Sequence, residues 1–269
     1  MEKIRLYGSH SVNELSSQAA ICAESLAIKG FAVLETDFDA ATLGAMSGKL
    51  DELNRAQDAH FGRDTLEKIK EADMVRCPLA HDDLFLQVAT KPELLEVVEA
   101  MLGNYFILHL QNAIINRPNL VHHQTSWHRD LPYQEWTSSR PMALGALFCV
   151  DKFTVENGAT FVLPHSHRID LLPSLNYLEN NQIQVEAKPG SYILFDAMLF
   201  HRAGTNRSDY VRRGINNVFS RPILKQQLDL PRMLGDRFAS DPFLSKLLGY
   251  DSQVLDSDAA FKGRRLKKQ

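Results

Sequence analysis

The spacing of apolar residues changes character near residue 103. Before it the repeat is helical. From Val12 to Lys29 the residues Leu15, Ala19, Ile21, Cys22, Leu26 and Ile28 fall near helical spacing. Ser11 is the candidate N-cap, Glu14 stands three residues on as in a capping box, and Gly30 is a natural stop. Phe31 to Leu34 reads as a short strand. A second helix is predicted from Ala40 to Ala59, with Leu43, Met46, Leu50, Leu53 and Ala56 on one stripe, and a third from Pro92 to Leu102, opened by a proline suited to the first turn. After Gly103, short β-rich runs alternate with turn signals. Tyr105 to Asn116, Met142 to Val150, Phe161 to Leu163, Ser191 to Phe195 and Val211 to Phe219 read as strands, and the turn Lys188-Pro189-Gly190 leads into the fourth. Leu228 to Leu248 is mixed and helical in part. Helices followed by evenly spaced strands predict a sandwich or barrel with helices packed outside it. With no internal repeat or linker, the expected organisation is one domain: a mostly helical part (residues 1–103), a strand-rich core (104–222) and a C-terminal extension (223–269).

Composition narrows the classes. A chain of 269 residues can bury a sizeable core, and 44% hydrophobic with 23% charged residues is ordinary for a globular protein. A formal net charge of -3 argues against a general nucleic-acid binder. The basic run from Lys262 to Lys268 is read as a solvated tail. Cys22, Cys77 and Cys149 are far apart and odd in number, which fits a reducing compartment better than a disulfide framework. The N-terminus leads into no apolar segment, and no stretch has the roughly 18 apolar residues of a membrane span. A soluble cytoplasmic protein with no membrane or nucleic-acid partner is expected.

The chemistry gathers at Trp127-His128-Arg129-Asp130. In extended backbone, residues two apart share a face, so His128 and Asp130 present an imidazole and a carboxylate to one point. His201, 71 residues after Asp130, is the candidate third ligand. Two histidines and one carboxylate on one face leave three positions of an octahedral metal open, as in the facial triad of Fe(II) oxygenases. Spacing alone leaves His109, His122, His123, His165 and His167 as competing ligands.

The surrounding segments resemble the phytanoyl-CoA dioxygenase-like family of Fe(II)- and 2-oxoglutarate-dependent oxygenases. From Gln111 to about Arg221 the matching pieces occur in order: Asn116-Arg117-Pro118, Trp127-His128-Arg129-Asp130, the run from Glu156 to His167, Lys188-Pro189-Gly190-Ser191, and the run from His201 to Ser208 with Arg212-Arg213. The resemblance implies a mainly β fold with flanking helices: a double-stranded β-helix, or jelly roll, with the N-terminal helices packed on the barrel. It also implies Fe(II) held by His128, Asp130 and His201, with 2-oxoglutarate as cosubstrate and O2 as oxidant. The implied reaction hydroxylates a C–H bond of a small molecule and releases succinate and CO2. Retention of Asp130 favours hydroxylation, desaturation or ring formation over halogenation.

The resemblance further implies that Arg212, eleven residues after His201, grips the distal carboxylate of the cosubstrate. A guanidinium suits this because it offers two parallel hydrogen bonds. Arg213 should face the other side of its strand. Gln111, seventeen residues before His128, is a candidate cosubstrate contact, and Ala203 stands where many relatives carry serine. Arg129, Tyr133 and Trp136 are candidate substrate contacts, and Arg76, Arg129, Arg140 and Lys225 could meet an anionic substrate. His165 and His167 are read as shaping a loop, Asn157-Gly158 as a turn, and Trp127 as packing against the barrel. Two other readings stand beside this one: a Zn(II)-dependent hydrolase or isomerase using the same ligands, and a jelly-roll binding protein without turnover.

Overall fold

A computed structural model of the chain describes residues 15–120, 122–131 and 136–266. Ser11 and Glu14 lie outside the described residues. Helix α1 spans Gln18–Lys29, later than the predicted start at Val12. Ser17, in extended conformation, closes its N-terminus by accepting the Ala20 N–H. Gly30 ends the helix in the left-handed region at φ 86° and donates to the Leu26 carbonyl. The helix α2 covers Ala40–Phe61, capped by the Asp39 carboxylate on the Thr42 N–H at 2.8 Å, and buries Met46 and Leu50 of the predicted stripe. The short helices α3 (Arg63–Lys68) and α4 (Gln87–Thr90) follow, then α5 at Pro92–Leu102 as predicted. The remaining helices are α6 (Leu175–Asn181), α7 (Leu230–Leu234), α8 (Pro242–Leu248) and α9 (Asp258–Leu266).

The strands are β1 (Phe31–Leu34), β2 (Met74–Arg76), β3 (Ile107–Asn116), β4 (Ala143–Cys149), β5 (Thr160–Val162), β6 (Ile183–Val185), β7 (Tyr192–Asp196), β8 (His201–Arg202) and β9 (Arg212–Ser220). They form two antiparallel sheets. The larger runs β1-β7-β4-β9-β3-β2 and the smaller β6-β5-β8. Neither sheet closes on itself. They pack face to face through Leu147, Phe153, Val162, Ile193, Phe195 and Leu199, which is the jelly roll. The other face of the larger sheet, with Leu108, Phe148, Leu194, Ile215 and Phe219, packs on α1, α2 and α5 through Leu26, Met46, Leu50, Val97 and Val98. Both faces of the central strands are therefore covered. All seven residues of β4 are buried, so its sequence runs apolar without alternation.

Strand parity now assigns every residue of β9 to a face. Arg212, Gly214, Asn216, Val218 and Ser220 look inward between the sheets. Arg213, Ile215, Asn217 and Phe219 look out toward the helices. In β3, Asn112 pairs with Asn216 and Asn116 with Arg212, so the even-numbered residues from Leu110 to Asn116 look inward too, while Leu108, beyond a shift in register, pairs with Phe219 and faces the helices. Among the described residues no helix is long and apolar enough to cross a membrane.

Candidate metal centre

His128 and His201 are joined by an antiparallel bridge outside the regular ladder. Each backbone N–H donates to the other's carbonyl at 3.0 Å. Their rings therefore stand side by side, with centroids 4.4 Å apart. The Asp130 N–H donates to the Ala197 carbonyl at 3.1 Å, which carries the carboxylate to the same place. One ligand atom from each of His128, Asp130 and His201 can be chosen so that all three lie within 4.8 Å of one another; no other such cluster occurs among the described residues. His201 Nε2 is 3.6 Å from Asp130 Oδ1.

The partners of these side chains select their free atoms. His128 Nδ1 lies 2.8 Å from the Ser126 carbonyl and His201 Nδ1 lies 3.0 Å from that of Leu199. A carbonyl can only accept, so both Nδ1 atoms carry the proton and both Nε2 lone pairs face the cluster. Asp130 Oδ2 accepts from Asn216 Nδ2 at 2.9 Å, leaving Oδ1 for the cluster. Burial, with the nearby His128 next, pulls the His201 imidazole down to about 4, so it is neutral and ligand-ready at physiological pH.

The segment bearing His201 is clamped on both sides. Asn116 Nδ2 donates to the Gly204 carbonyl and Asn206 Nδ2 donates back to the Asn116 carbonyl, each at 2.9 Å. Gly158, at φ 77°, lies under Gly204; a Cβ there would come within 2.3 Å of the Gly204 oxygen. The predicted turn at Asn157-Gly158 thus also lets the His201 loop approach.

Arg212 faces the same cavity, which is lined by Ile114, Gln124, Leu147, Thr160, Phe195 and Asn216 as well as the triad. Its side chain is buried against the Phe153 ring, 4.2 Å from guanidinium to centroid. Its Nε has no hydrogen-bond partner among the described residues. Burial lowers its pKa to about 10, which still leaves it charged at neutral pH. Arg213, one residue on, faces outward and is doubly paired: with Asp51 at 2.8 Å and Asp151 at 2.9 Å. A buried cation with an orphaned donor, opening on a cluster that could hold a metal, fits a carboxylate ligand.

Other sequence-singled residues lie elsewhere. Gln111 is on the outward face. Its amide donates to the Phe85 carbonyl and to Asn217 Oδ1, and accepts from the Leu79 N–H, all at 2.9 Å. Parity separates it from the cavity, and Asn112 is the neighbour that shares the inner face. Arg129 is turned away from His128 and Asp130, which flank it in sequence. It donates to the carbonyls of Met198 at 2.9 Å and Asp170 at 2.8 Å, also to those of Ser166 and Ile169, and stacks on Phe200. Trp136 is half exposed and lines a separate small pocket with Leu131, Arg140, Met142 and Leu224. Tyr133 lies outside the described residues. Arg76 is held by Glu71. Trp127 packs beside Leu163, Leu178 and Phe200. His165 and His167 sit against the carbonyls of Ile28 and Ala27 at the end of α1, and His122 and His123 line a different cavity with Arg63, Asp73 and Arg117. Asn216 was not anticipated from the sequence. Its only signal is the pair Asn216-Asn217 set between Gly214-Ile215 and Val218-Phe219 inside the strand.

One buried and one half-buried imidazole, a carboxylate and an inward arginine on a jelly roll are the features of the class of facial-triad metal oxygenases. The sequence profile described as Phytanoyl-CoA dioxygenase (PhyH) matches residues 28–214, and the chain belongs to that family. An uncharacterized protein of Mycobacterium tuberculosis is 32% identical over 241 residues, covering 86% of this chain and 87% of that one. Dioxygenase olcK of Penicillium canescens is 29% identical over 133 residues, 46% of this chain and 42% of that one. Among solved structures, EctD from S. alaskensis with 2-oxoglutarate and 5-hydroxyectoine superposes with a TM-score of 0.63 at 22% identity, over 80% of each chain. The α-ketoglutarate-dependent epimerase SnoN superposes with a TM-score of 0.57 at 20% identity, over 76% of this chain and 83% of that one. The chain is an Fe(II)- and 2-oxoglutarate-dependent dioxygenase.

Proposed function

We propose that His128, Asp130 and His201 hold the iron and Arg212 binds the distal carboxylate of 2-oxoglutarate, and that the enzyme hydroxylates a C–H bond of a small molecule. The observation that carries this is Arg212: buried, charged, lacking a partner at Nε among the described residues and open to the cavity of the triad. When bound, Fe(II) with 2-oxoglutarate and O2 supplies the oxidising chemistry, with succinate and CO2 as coproducts. The chain contributes position. The Ser126 and Leu199 carbonyls fix the two imidazole tautomers, and Asn216 fixes the carboxylate. Phe153 holds the guanidinium in place from one side. Leu147, Phe195 and Ile114 keep the surroundings dry, which strengthens the carboxylate–guanidinium pair. Arg129 ties the His128–Asp130 segment to the carbonyls of residues 166–170 and so positions both ligands. A plain zinc hydrolase has no use for a buried unpaired arginine here. The test is a panel of small-molecule substrates incubated with Fe(II), 2-oxoglutarate and isotopically labelled O2. The reading predicts succinate release coupled to one labelled oxygen atom in the product. Succinate release that no substrate stimulates, with no labelled product, would contradict it.

A further inference from the structure

Along β9 the inward residues Arg212, Asn216 and Ser220 follow at four-residue steps, roughly 13 Å each at ~3.3 Å per residue. Asn216 holds Asp130, so the metal ligands sit at the middle of this row. On the proposed function, which this inference takes as its base, the cosubstrate occupies the side toward Arg212. The substrate is left the side toward Ser220.

At that end β3 carries a bulge. Leu108 pairs with Phe219 and Leu110 with Val218, so His109 is the extra, unpaired residue. Regular alternation would send His109 outward with Gln111 and Ala113, into the helix-packed face. The bulge turns it inward instead, onto Ser220, with His109 Nδ1 3.3 Å from Ser220 Oγ. It lies near enough to Asp130 to feel that carboxylate's charge. The buried cluster beside it is apolar: Leu110, Ala143 and Val218, with Leu131 and Leu224 packed on them, and these two also line the small pocket that Trp136 and Met142 share.

The hydrogen-bond pattern sets the tautomer. Ser220 is fully buried, and His109 Nδ1 is the only acceptor its hydroxyl meets among the described residues. Ser220 therefore donates to Nδ1, and Nε2 carries the ring N–H. Nε2 meets no acceptor among the described residues, although the side chain is only 7% exposed. Burial lowers the imidazole pKa, which keeps the ring neutral.

We propose that His109 is a specificity-determining residue whose Nε2–H binds an oxygen acceptor, a carbonyl or ether, on an otherwise apolar substrate. The apolar wall takes the carbon skeleton, and the single donor sets which C–H faces the metal. A bulge that re-aims one polar side chain beside an active site has this use.

The test compares two probes of similar shape, cyclohexanone and methylenecyclohexane. Each is titrated by saturation-transfer NMR into protein loaded with Zn(II), as a diamagnetic stand-in, and 2-oxoglutarate. Wild type should bind the ketone about tenfold more tightly, the size of one hydrogen bond to a buried donor. His109→Phe should abolish that preference while still forming the visible Fe(II)–2-oxoglutarate band. His109→Gln, which keeps a donor, should restore part of it. An equal preference for ketone in wild type and His109→Phe, or no preference in wild type, overturns the proposal. Failure of wild type to form the visible band would instead remove the cosubstrate assignment beneath it.

Discussion

The two faces of β9 treat neighbouring arginines in opposite ways. Arg213 looks out toward α2 and is neutralised by Asp51 and Asp151. Arg212 looks inward, is 2% exposed, and has an Nε without a partner among the described residues. The same division runs through β3. Gln111 on the outer face has its amide satisfied by Leu79, Phe85 and Asn217, while His109, re-aimed inward, keeps a donor that meets no acceptor among the described residues. Among the described residues, the outward side chains of β3 and β9 leave no buried polar atom without a partner, whereas the inward ones leave Asn116 Oδ1, Arg212 Nε and Asn216 Oδ1 unmet. Unmet polar groups on an inner face are where a bound ligand would complete the pairing.

This contrast can be broken by mutation, and the largest effect is expected at the arginine pair. Arg212→Ala should weaken 2-oxoglutarate binding by a factor on the order of 30 to 1,000, as for a buried charge pair losing one member. Its melting temperature should hold or rise, because an unpaired buried charge is removed. Arg213→Ala should do the reverse, costing about 1.5–3 kcal/mol of stability as its charged hydrogen bonds are lost, with 2-oxoglutarate affinity close to wild type. Isothermal titration and chemical denaturation of both variants measure this. Equal loss of affinity in the two would erase the distinction between faces.

Asn216→Ala sharpens the inner-face account. Releasing Asp130 Oδ2 should reduce metal affinity about 10- to 100-fold. Co(II) titration followed by its visible absorption reads this without turnover, and an unchanged dissociation constant would count against the positioning role. On the outer face, Gln111→Leu should strand the Leu79 N–H and the Phe85 carbonyl, costing about 1–3 kcal/mol. Its 2-oxoglutarate affinity should not move; a large loss there would place Gln111 at the site after all.

A smaller effect concerns pH. Burial is the leading cause that lowers His122 and His167 each to about 4. Unfolded, such groups titrate near 6.5. Between those values the unfolded chain binds more protons than the folded one, so stability falls as the pH drops from about 6.5 toward 4. Each histidine contributes at most about 1.4 kcal/mol per pH unit in that window. Denaturation midpoints at pH 7 and pH 5 check the sign; a more stable protein at pH 5 would contradict it.

Much of this was legible in the sequence because it rests on short-range rules. Gly30, Pro92 and the apolar stripe of α2 announce helices by local chemistry, and β3, β4, β7 and β9 are long enough to read. The strands β2, β6 and β8 were not legible: two or three residues carry no period, and they lack the uninterrupted apolar run Phe161-Val162-Leu163 that gave away the equally short β5. The start of α1 was misplaced because Ser11 and Ser17 offer similar caps, and only the folded chain shows Ser17 in use. At the site, the alternation of Arg212 and Arg213 was readable. Which member of Gln111-Asn112 looks inward was not, because that depends on the pairing of β3 with β9. The bulge at His109 was hidden for the same reason. Asn216 shows its meaning only once Asp130, 86 positions away, is brought against it.

The central claim is that His128, Asp130, His201 and Arg212 form one Fe(II) and 2-oxoglutarate site. The most direct measurement is the visible metal-to-ligand charge-transfer band of the anaerobic protein on addition of both components. The account predicts the band in wild type, its loss in His201→Ala at any cosubstrate concentration, and its recovery in Arg212→Ala only at much higher 2-oxoglutarate. A wild-type protein that binds Fe(II) yet shows no band, or a band indifferent to His201, would contradict it.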